Sequence, residues 1–198
     1  LARRLSHKRD EQLARRALQL AGEPQVVLDL PCGAGRFWPL LAQMPSREII
    51  GADNSASMLE VASLAQPADV VKRVRRLQMS AFEIDLPDNS VDSVFCMRLL
   101  HHIGDASHRM ALLRELHRVS RDSVIISLWV DGNFKAWKRK RLERQRAAEA
   151  DQYGYQNRFV LPAATVEAEF KKAGFTVQDH LDFIPLYAMW RVYVLRKR

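Results

Sequence analysis

Short apolar runs bounded by turn residues alternate with helix-like segments through most of this chain. The runs QVVLDL (25–30), REIIGAD (47–53) and DSVIISLWV (122–130) are rich in Val, Ile and Leu, and helical patterns lie between them. Strands that alternate with helices are typical of a parallel sheet built from βα units. A chain of 198 residues is long enough for one domain with a substantial core and short for two. We therefore predict a single α/β domain over residues 1–198.

The last two apolar runs depart from this alternation. TVQDHLDFIPLY (176–187) and AMWRVYVLRKR (188–198) are separated by too few residues for a crossover helix, so we expect antiparallel neighbouring strands. The sheet is then seven-stranded and mostly parallel, with an antiparallel last strand, in a three-layer sandwich. The segment VKRVRRLQM (71–79) is predicted to be a further strand, and its mixed polarity places it near an edge of the sheet. The remaining predicted elements are helices at about Asp10–Ala21, Gly35–Gln43, from the Ser55 cap to Ala65, from Asp105 or Ser107 to about Val119, and 162–174, and a strand at 90–100.

The formal charge of +8 is concentrated in one segment. Residues 135–146 hold seven basic side chains and one acid, which indicates either an anionic partner or a solvated helix face. Aromatic side chains surround this run, and they either cover a ligand pocket or anchor a helix to the core. They are Phe134, Trp137, Tyr153, Tyr155 and Phe159. We expect the whole segment 132–160, which has no strand pattern, to be an insertion lying over the sheet.

Two classes of protein are disfavoured by composition. No apolar stretch approaches the roughly 20 residues of a membrane span, and no signal peptide pattern opens the chain, so the default expectation is a cytoplasmic protein. Cys32 and Cys96 are too few for a disulfide framework and lack metal-ligand spacing. We expect both to be reduced, and no metal site.

The turn after the first strand carries the strongest indication of chemistry. In VVLDLPCGAGRFWPLL (26–41), Asp29 ends the strand, and Gly33 and Gly35 precede the next helix. Ligands of open α/β sheets bind outside the carboxyl ends of the strands. Glycines there allow close backbone approach, and a helix N-terminus offers free N–H groups. Asp53 ends the second strand about 20 residues later, where an acid can hold the hydroxyls of a ribose.

Two nucleoside ligands compete for such a site, a dinucleotide and S-adenosylmethionine. The Asp29 carboxylate would repel a pyrophosphate. S-adenosylmethionine has no phosphate, and its ammonium and sulfonium groups would be attracted. The third glycine of a dinucleotide turn is Trp38 here. Both features favour S-adenosylmethionine.

Four segments in chain order resemble the class I S-adenosylmethionine-dependent methyltransferases, particularly the small family akin to the quinone-biosynthesis C-methyltransferases. The resemblance covers roughly Gln25–Arg198. Its segments are DLPCGAGRF, GADNSASML, MSAFEIDLPDNSVD and FCMRLLHHI. It implies a Rossmann-like fold, S-adenosylmethionine as cofactor, and a reversed last strand. Two positions depart from the family pattern: Pro31 replaces the usual first glycine, and Ser80 replaces the usual acid.

The resemblance also implies a role for each matching position. At the cofactor it implies Asp29, Pro31, Cys32, Gly33 and Gly35 around the methionine end, Asp53 on the ribose, Asn54, Met58, Ser80, Ala81 and Phe82 around the adenine, and Arg98 and Leu100 along its length. His101 and His102 would face the substrate. Pro31 supplies no N–H, so a donor needed at that point must come from Cys32 or Gly33.

Several of these residues have structural alternatives. Asp29 and Asp53 would serve equally as caps of the following turn and helix, and Cys32 as filling beneath the turn. Arg98 needs a partner at the end of a buried strand, for which Glu115, Asp29 and an anionic substrate are the candidates. The two histidines are either general bases for a hydroxyl acceptor or packing residues. A base is optional, because positioning can suffice for a direct displacement at a sulfonium-activated carbon.

We predict S-adenosylmethionine-dependent methyl transfer to a small molecule or to an anionic lipid or glycan head group that enters beneath residues 132–160. The basic run would attract such an acceptor and is compatible with peripheral membrane contact. Two alternatives stay open: an RNA methyltransferase, and a non-catalytic protein that keeps the fold and binds a partner through its basic face. The oligomeric state is not predicted.

Overall fold

The computed structural model describes residues 2–149 and 158–198, with side chains described over 6–142 and 158–198. The helices are α1 (Ala2–Leu20), α2 (Trp38–Leu41), α3 (Ala56–Ala65), α4 (Ala68–Val71), α5 (Ala106–Val119), α6 (Phe134–Glu149) and α7 (Ala163–Lys172), with one 3₁₀ turn at Leu100–His102. The strands are β1 (Val26–Asp29), β2 (Glu48–Asp53), β3 (Val74–Gln78), β4 (Val91–Cys96), β5 (Ser120–Trp129), β6 (Phe175–Asp182) and β7 (Trp190–Lys197).

The seven strands form one sheet in the order β3-β2-β1-β4-β5-β7-β6. Strands β1 to β5 are parallel, whereas β7 is antiparallel to both β5 and β6. This confirms the predicted mostly parallel sheet, its antiparallel end and the edge position of the mixed-polarity strand, β3. The last two strands are antiparallel because the short link between them leaves no room for a crossover helix.

Helices cover both faces of the sheet, so the fold has three layers. On one face, Leu112 of α5 and Phe170 of α7 are fully buried against the strands. On the other, Leu18 of α1 and Trp38 of α2 belong to a second buried cluster. Helices α1, α2, α5 and α7 present apolar side chains to the sheet, which is the arrangement that the helix-strand alternation predicts.

The five parallel strands β1 to β5 end at one edge of the sheet, and this edge brings the candidate residues together. The sequence connects β1 to β2 and β3 on one side, while β4 and β5 lie on the other side of β1, so the order reverses between β1 and β4. Ligands of open α/β sheets bind at such a reversal. Because β7 runs antiparallel, it begins at this same edge, where Trp190 pairs with Trp129 at the end of β5.

Several element boundaries differ from the sequence-based expectations. The helix expected at Gly35–Gln43 is only the short α2, because Gly33 and Gly35 have φ of 53° and 67°, outside the helical region. Helix α1 begins earlier than expected, and the short α4 was not predicted. Pro162 is the N-cap of α7 rather than its first residue. Within the described ranges, no helix is both long and apolar enough to cross a bilayer.

Candidate functional site

The turn after β1 is held to the end of β2 by one carboxylate. The Gly33 N–H donates to Asp53 Oδ2 at 3.0 Å, and the Ser55 N–H donates to Asp53 Oδ1 at the same distance. Ser55, rather than Asp53, caps α3, since its hydroxyl accepts from the Met58 N–H at 3.3 Å. The cap alternative for Asp53 is therefore wrong. Its carboxylate instead sets the position of the glycine turn.

Asp29 lies beneath this turn as a buried acid. It is 1% exposed, and neither carboxylate oxygen has a hydrogen-bond partner among the residues that the structure describes. Burial raises the pKa of Asp29 well above its usual value. The nearby Trp38 indole N–H, which falls short of hydrogen-bond geometry, partly offsets this rise, and the Asp53 carboxylate adds to it. Asp29 caps nothing, so that alternative is also wrong. A buried carboxylate without partners is costly unless a cation reaches it, and it fits a ligand with an ammonium group.

Trp38 fits between two glycines. Its indole is fully buried, and a Cβ added at Gly35 would lie 2.7 Å from Trp38 Cε3, while one added at Gly51 of β2 would lie 2.6 Å from Trp38 Cζ2. Real Cβ atoms do not approach that closely. The bulky residue at the third-glycine position is thus accommodated by missing side chains on its neighbours.

Pro31 has no N–H, and the N–H groups of Cys32 and Gly33, from which a donor was expected, are both bonded within the protein. The Leu30–Pro31 peptide bond is cis. The Cys32 N–H donates to the Ala52 carbonyl at 2.8 Å, and the Gly33 N–H is bonded to Asp53, so both expected donors are already engaged. The Cys32 thiol is buried, and burial, followed by the Asp29 and Asp53 carboxylates, raises its pKa far above the usual value. The residue fills space as a neutral thiol.

Cys96, at the end of β4, is also a buried free thiol, and burial raises its pKa to about 12. No group of three or more metal-ligating side chains occurs within the described part of the chain.

The segment after β3 folds into a tight local turn beside β2. The Met79 N–H donates to the Asp53 carbonyl at 3.1 Å, and Ser80 Oγ accepts from the Phe82 N–H at 3.1 Å. Ala81 is buried, and Phe82 is 45% exposed. Asn54 is exposed nearby, and its carbonyl accepts from Gln78. The serine at the usual acid position therefore stabilises its own turn, while Phe82 leaves an apolar side chain open beside it.

Arg98 has a partner that sequence reasoning did not consider. Its backbone is left-handed, with φ of 66°, and its N–H donates to Ser127 Oγ at 2.8 Å. Its guanidinium binds the carboxylate of Asp10 on α1 and lies 4.9 Å from the ring centroid of Trp190. Burial lowers the pKa of Arg98, and Asp10 raises it. Asp10 also binds Arg36 at 2.5 Å. This carboxylate therefore joins Arg36, in the turn after β1, to Arg98, in the segment after β4.

The partners expected for Arg98 are elsewhere. Glu115 pairs with Arg118 at 2.8 Å and accepts from the Ile84 N–H, and Asp29 has no partner of this kind. Both expectations are wrong because α1, whose position the sequence pattern does not determine, supplies the carboxylate. Leu100, expected along the cofactor, is fully buried in the core.

His101 is packed among aromatic rings. Its ring centroid lies 4.9 Å from that of Trp129, 4.7 Å from that of Trp190 and 4.0 Å from that of His102. It is 3% exposed, and burial, with smaller effects from His102 and the arginines nearby, lowers its pKa to about 3. His101 is therefore neutral near neutral pH and a weak proton acceptor, whereas His102 is exposed.

Three guanidinium groups lie over the two tryptophans at this edge. Arg139 and Arg158 lie 5.1 and 5.7 Å from the Trp129 ring centroid, and Arg98 lies over Trp190. Arg139 also donates to the Arg158 carbonyl at 3.0 Å. Apart from the Asp10–Arg36 pair, which joins the two sides, the edge is thus divided electrostatically: Asp29 and Asp53 end β1 and β2, and cations with aromatic rings lie after β4 and β5.

The basic segment forms α6, and its aromatic residues do not anchor it. Phe134 and Trp137 are 50% and 57% exposed, while Ala136 is the buried contact, so the anchoring interpretation is wrong for these two. Phe159 does pack inward, since a Cβ at Gly104 would lie 2.5 Å from its ring. Tyr153 and Tyr155 lie outside the described residues.

Comparison with known proteins identifies the domain. Residues 27–123 match the family described as a methyltransferase domain. A demethylmenaquinone methyltransferase from Geobacillus kaustophilus is 32% identical over 96 residues, covering 48% of this chain and 40% of that protein. A tRNA U34 carboxymethyltransferase from Shewanella sediminis is 28% identical over 155 residues, covering 76% of this chain and 44% of that protein. This chain thus spans less than half the length of these curated relatives.

The solved structure of magnesium protoporphyrin IX methyltransferase from Synechocystis PCC 6803, with bound SAH, superposes with a TM-score of 0.78. It is 15% identical, and the match covers 98% of this chain and 85% of that chain, so it shows the fold. Residues 27–123 thus form a methyltransferase domain, and the fold is that of the class I S-adenosylmethionine-dependent methyltransferases. Its cofactor is S-adenosylmethionine, and the unpartnered Asp29 carboxylate is the observation in this chain that fits a ligand with a cationic end.

The structure brings further residues to this edge of the sheet that the motifs did not indicate. Trp129 ends β5 and Trp190 begins the antiparallel β7, so strand direction brings both to the carboxyl edge of the sheet. Considering every residue at that edge as a candidate would have found both. Asp10 and Arg36 meet only through the placement of α1, and no local pattern indicates that contact.

Proposed function

We propose that this domain transfers a methyl group from S-adenosylmethionine to an acceptor that carries an anionic group. The divided edge is the supporting observation: Asp29 and Asp53 lie on the side of β1 and β2, and Arg98, Arg139 and Arg158 on the side of β4 and β5. A cationic cofactor end and an anionic acceptor would each meet opposite charge.

On the acidic side, Asp29 would neutralise the ammonium group, and the Gly33–Gly35 turn would allow close backbone approach. Asp53 keeps unused lone pairs after accepting from two backbone N–H groups, and these would accept from ribose hydroxyls. Met58, whose methyl group lies 3.9 Å from the Cβ position of Gly33, and Phe82 would supply apolar surface to the adenine. When bound, the cofactor supplies a methyl group activated by its sulfonium sulfur.

On the basic side, Trp129 and Trp190 would contact an apolar or planar part of the acceptor, with the guanidinium groups around it. His101 would pack as a neutral ring. Of the two histidines, His102 is the candidate proton acceptor because it alone is exposed. The acceptor would be a small molecule or the head group of an anionic lipid or glycan.

Calorimetric titration is the first test. We expect binding of S-adenosylmethionine and its demethylated product by the intact chain and none of NAD; the reverse result would refute the proposal. Asp53→Asn should weaken cofactor binding by about 1 to 3 kcal/mol, the usual cost of losing a charged hydrogen-bond partner. Asp122→Asn is the matched control, since Asp122 lies near the start of β5, at the opposite edge, and forms an exposed ion pair with Arg196.

RNA methylation is a second candidate, which the similarity to the tRNA U34 carboxymethyltransferase and the basic α6 both favour. RNA binding by this chain should then fall steeply between low and physiological salt, because neutralised phosphates release counterions. Retained saturable binding of tRNA at physiological salt would favour RNA over a small acceptor. A purely non-catalytic role would be excluded by S-adenosylhomocysteine production with any acceptor.

A further inference from the structure

Large apolar side chains project into solvent from the start of α6 and from the loop at 183–189. Leu186 is 83% exposed, Trp137 57%, Phe134 50% and Tyr187 44%. Exposed apolar side chains are ordinary when scattered, but a contiguous group of this size marks an interaction surface. We call this surface, together with Lys135, Lys138 and Arg141 beside it, the basic aromatic face.

Backbone and ring contacts hold the basic aromatic face together. The Phe134 N–H donates to the Leu186 carbonyl at 2.9 Å, and the Lys135 N–H to the Tyr187 carbonyl at 3.0 Å. The Phe134 and Tyr187 rings stack at 5.9 Å with an interplanar angle of 10°, and Trp137 lies 5.9 Å from Phe134. The start of α6 and the loop are therefore joined into one continuous surface.

Cations surround these apolar side chains. Lys135 Nζ lies 5.2 Å from the Tyr187 ring centroid, and the Arg141 guanidinium lies 5.7 Å from that of Trp137. Lys138, on the same part of α6, is exposed. Asp131 is paired with Lys140 at 3.2 Å, so this acid does not offset the three cations beside the rings.

We propose that the basic aromatic face docks the protein onto the surface of an anionic lipid bilayer. Tryptophan and tyrosine prefer the boundary between head groups and acyl chains, and Lys and Arg extend their charged ends to the phosphates while their stems cover apolar surface. An amphipathic helix with both features binds in the plane of the interface. An open hollow of about 450 Å³ lies between α6 and the loop. It is lined in part by Trp137, Lys140 and Leu186, so it also combines apolar and basic side chains.

The charge of this surface would attract RNA, but its rings are less open to bases than its apolar side chains are to a bilayer. Single-stranded nucleic acids bind proteins by stacking bases on open aromatic faces, but Phe134 and Tyr187 already stack on each other. Leu186, the most exposed member, offers no stacking surface and gains by leaving water for acyl chains. Charge attracts both kinds of partner, so the apolar members decide between them.

Docking would place the acceptor side of the domain close to the membrane. Arg139 extends from α6 over Trp129, while Trp137 is exposed on the same turn of the helix. This docking goes beyond the proposed methyl transfer, since vesicle binding requires no cofactor and no acceptor.

Co-sedimentation with vesicles tests the proposal, using the full chain at about 0.15 M salt. We expect binding to phosphatidylcholine vesicles that contain roughly 30% phosphatidylserine and little to pure phosphatidylcholine. Trp137→Ala combined with Leu186→Ser should weaken binding by at least about tenfold, from the apolar area lost. Leu64→Ser is the matched control, because Leu64 is 88% exposed on α3, and it should bind like the parent.

Two double charge-reversal variants distinguish docking through this face from attraction by the net charge of the protein. Lys138→Glu with Arg141→Glu should weaken vesicle binding by roughly 30-fold or more. Lys171→Glu with Lys172→Glu changes the net charge equally at the exposed end of α7 and should have a much smaller effect. Circular dichroism and S-adenosylmethionine titration on each variant check folding and the cofactor site, so loss of docking is distinguishable from failure of the proposed function.

Three results would overturn the proposal: no binding to phosphatidylserine vesicles, equal losses in the face variants and their controls, or loss of poly(U) binding in the face variants with vesicle binding unchanged. The last result would assign the face to RNA.

Discussion

One added methyl group tests the packing of Trp38 against the sheet. In Gly51→Ala, the new Cβ would lie 2.6 Å from Cζ2, 2.9 Å from Cε2 and 3.0 Å from Nε1 of the indole. Because Trp38 is fully buried, it has no open space into which it can rotate. The side chain or strand β2 must shift by about 1 Å to restore ordinary contact distances.

The magnitude follows from two opposing effects. Overpacking a core by one methyl group costs about 1 to 3 kcal/mol. Without a clash, the same change within a strand would stabilise the protein by roughly 0.5 to 1 kcal/mol, since glycine loses more conformational freedom on folding. The sign of the change in unfolding free energy therefore reports the clash. The net cost is at most about 2.5 kcal/mol, so for a domain of this size we expect the melting temperature to fall by up to roughly 10 °C.

A double-mutant cycle assigns the cost to Trp38. Trp38→Leu removes all three of the close atoms and should itself cost about 3 kcal/mol through the cavity it leaves. In that background Gly51→Ala should be neutral or stabilising, which gives a coupling energy of about 1 to 3 kcal/mol. Urea unfolding followed by circular dichroism measures all four proteins. Stabilisation by Gly51→Ala alone, or a cost that persists in the Trp38→Leu background, would refute this packing.

Three further changes test other contacts. Asp10→Asn should lower stability by about 1 to 2 kcal/mol and weaken S-adenosylmethionine binding, because two partly exposed guanidinium groups lose their carboxylate; Glu60→Gln, at an exposed position on α3, should change neither in thermal unfolding and titration. Arg109→Lys should cost roughly 2 to 4 kcal/mol in urea unfolding, because Arg109 is 4% exposed and binds both oxygens of Glu169; equal stability would contradict the bidentate pair. His101, with its pKa lowered from 6.5 to about 3, should make the protein less stable as pH falls below about 6.5, since only the unfolded state binds the proton there. His101→Phe should reduce that slope by up to about 1.4 kcal/mol per pH unit, and an unchanged slope would show that His101 is not responsible.

Local patterns predicted much of the candidate site because its residues follow strands directly. Asp29 and Asp53 were placed at neighbouring strand ends by the apolar runs before them, and parallel strands bring such ends to one edge. Ser55 was recognised as a cap for the same kind of local reason. The extent of the helix after Gly35 was overestimated, because periodicity does not report the left-handed backbone of the two glycines.

Contacts between distant segments were not predictable in the same way. Arg98 is 88 residues from Asp10 in the sequence, and its partner depends on how α1 crosses the sheet. Which of the two roles Phe134 and Trp137 take was not predictable either, since a helical pattern indicates which residues share a face and not whether that face meets the core.

The sequence by itself determined the order of strands and helices, the reversed end of the sheet and the acidic glycine turn, because each depends on residues within one or two elements of each other. Tertiary structure decided which charges are paired and which are not. It placed Asp10 between Arg36 and Arg98, left Asp29 buried without a partner, and put Trp129 beside Trp190. These outcomes depend on burial and on the crossing of distant elements, and both are properties of the packed chain rather than of any segment.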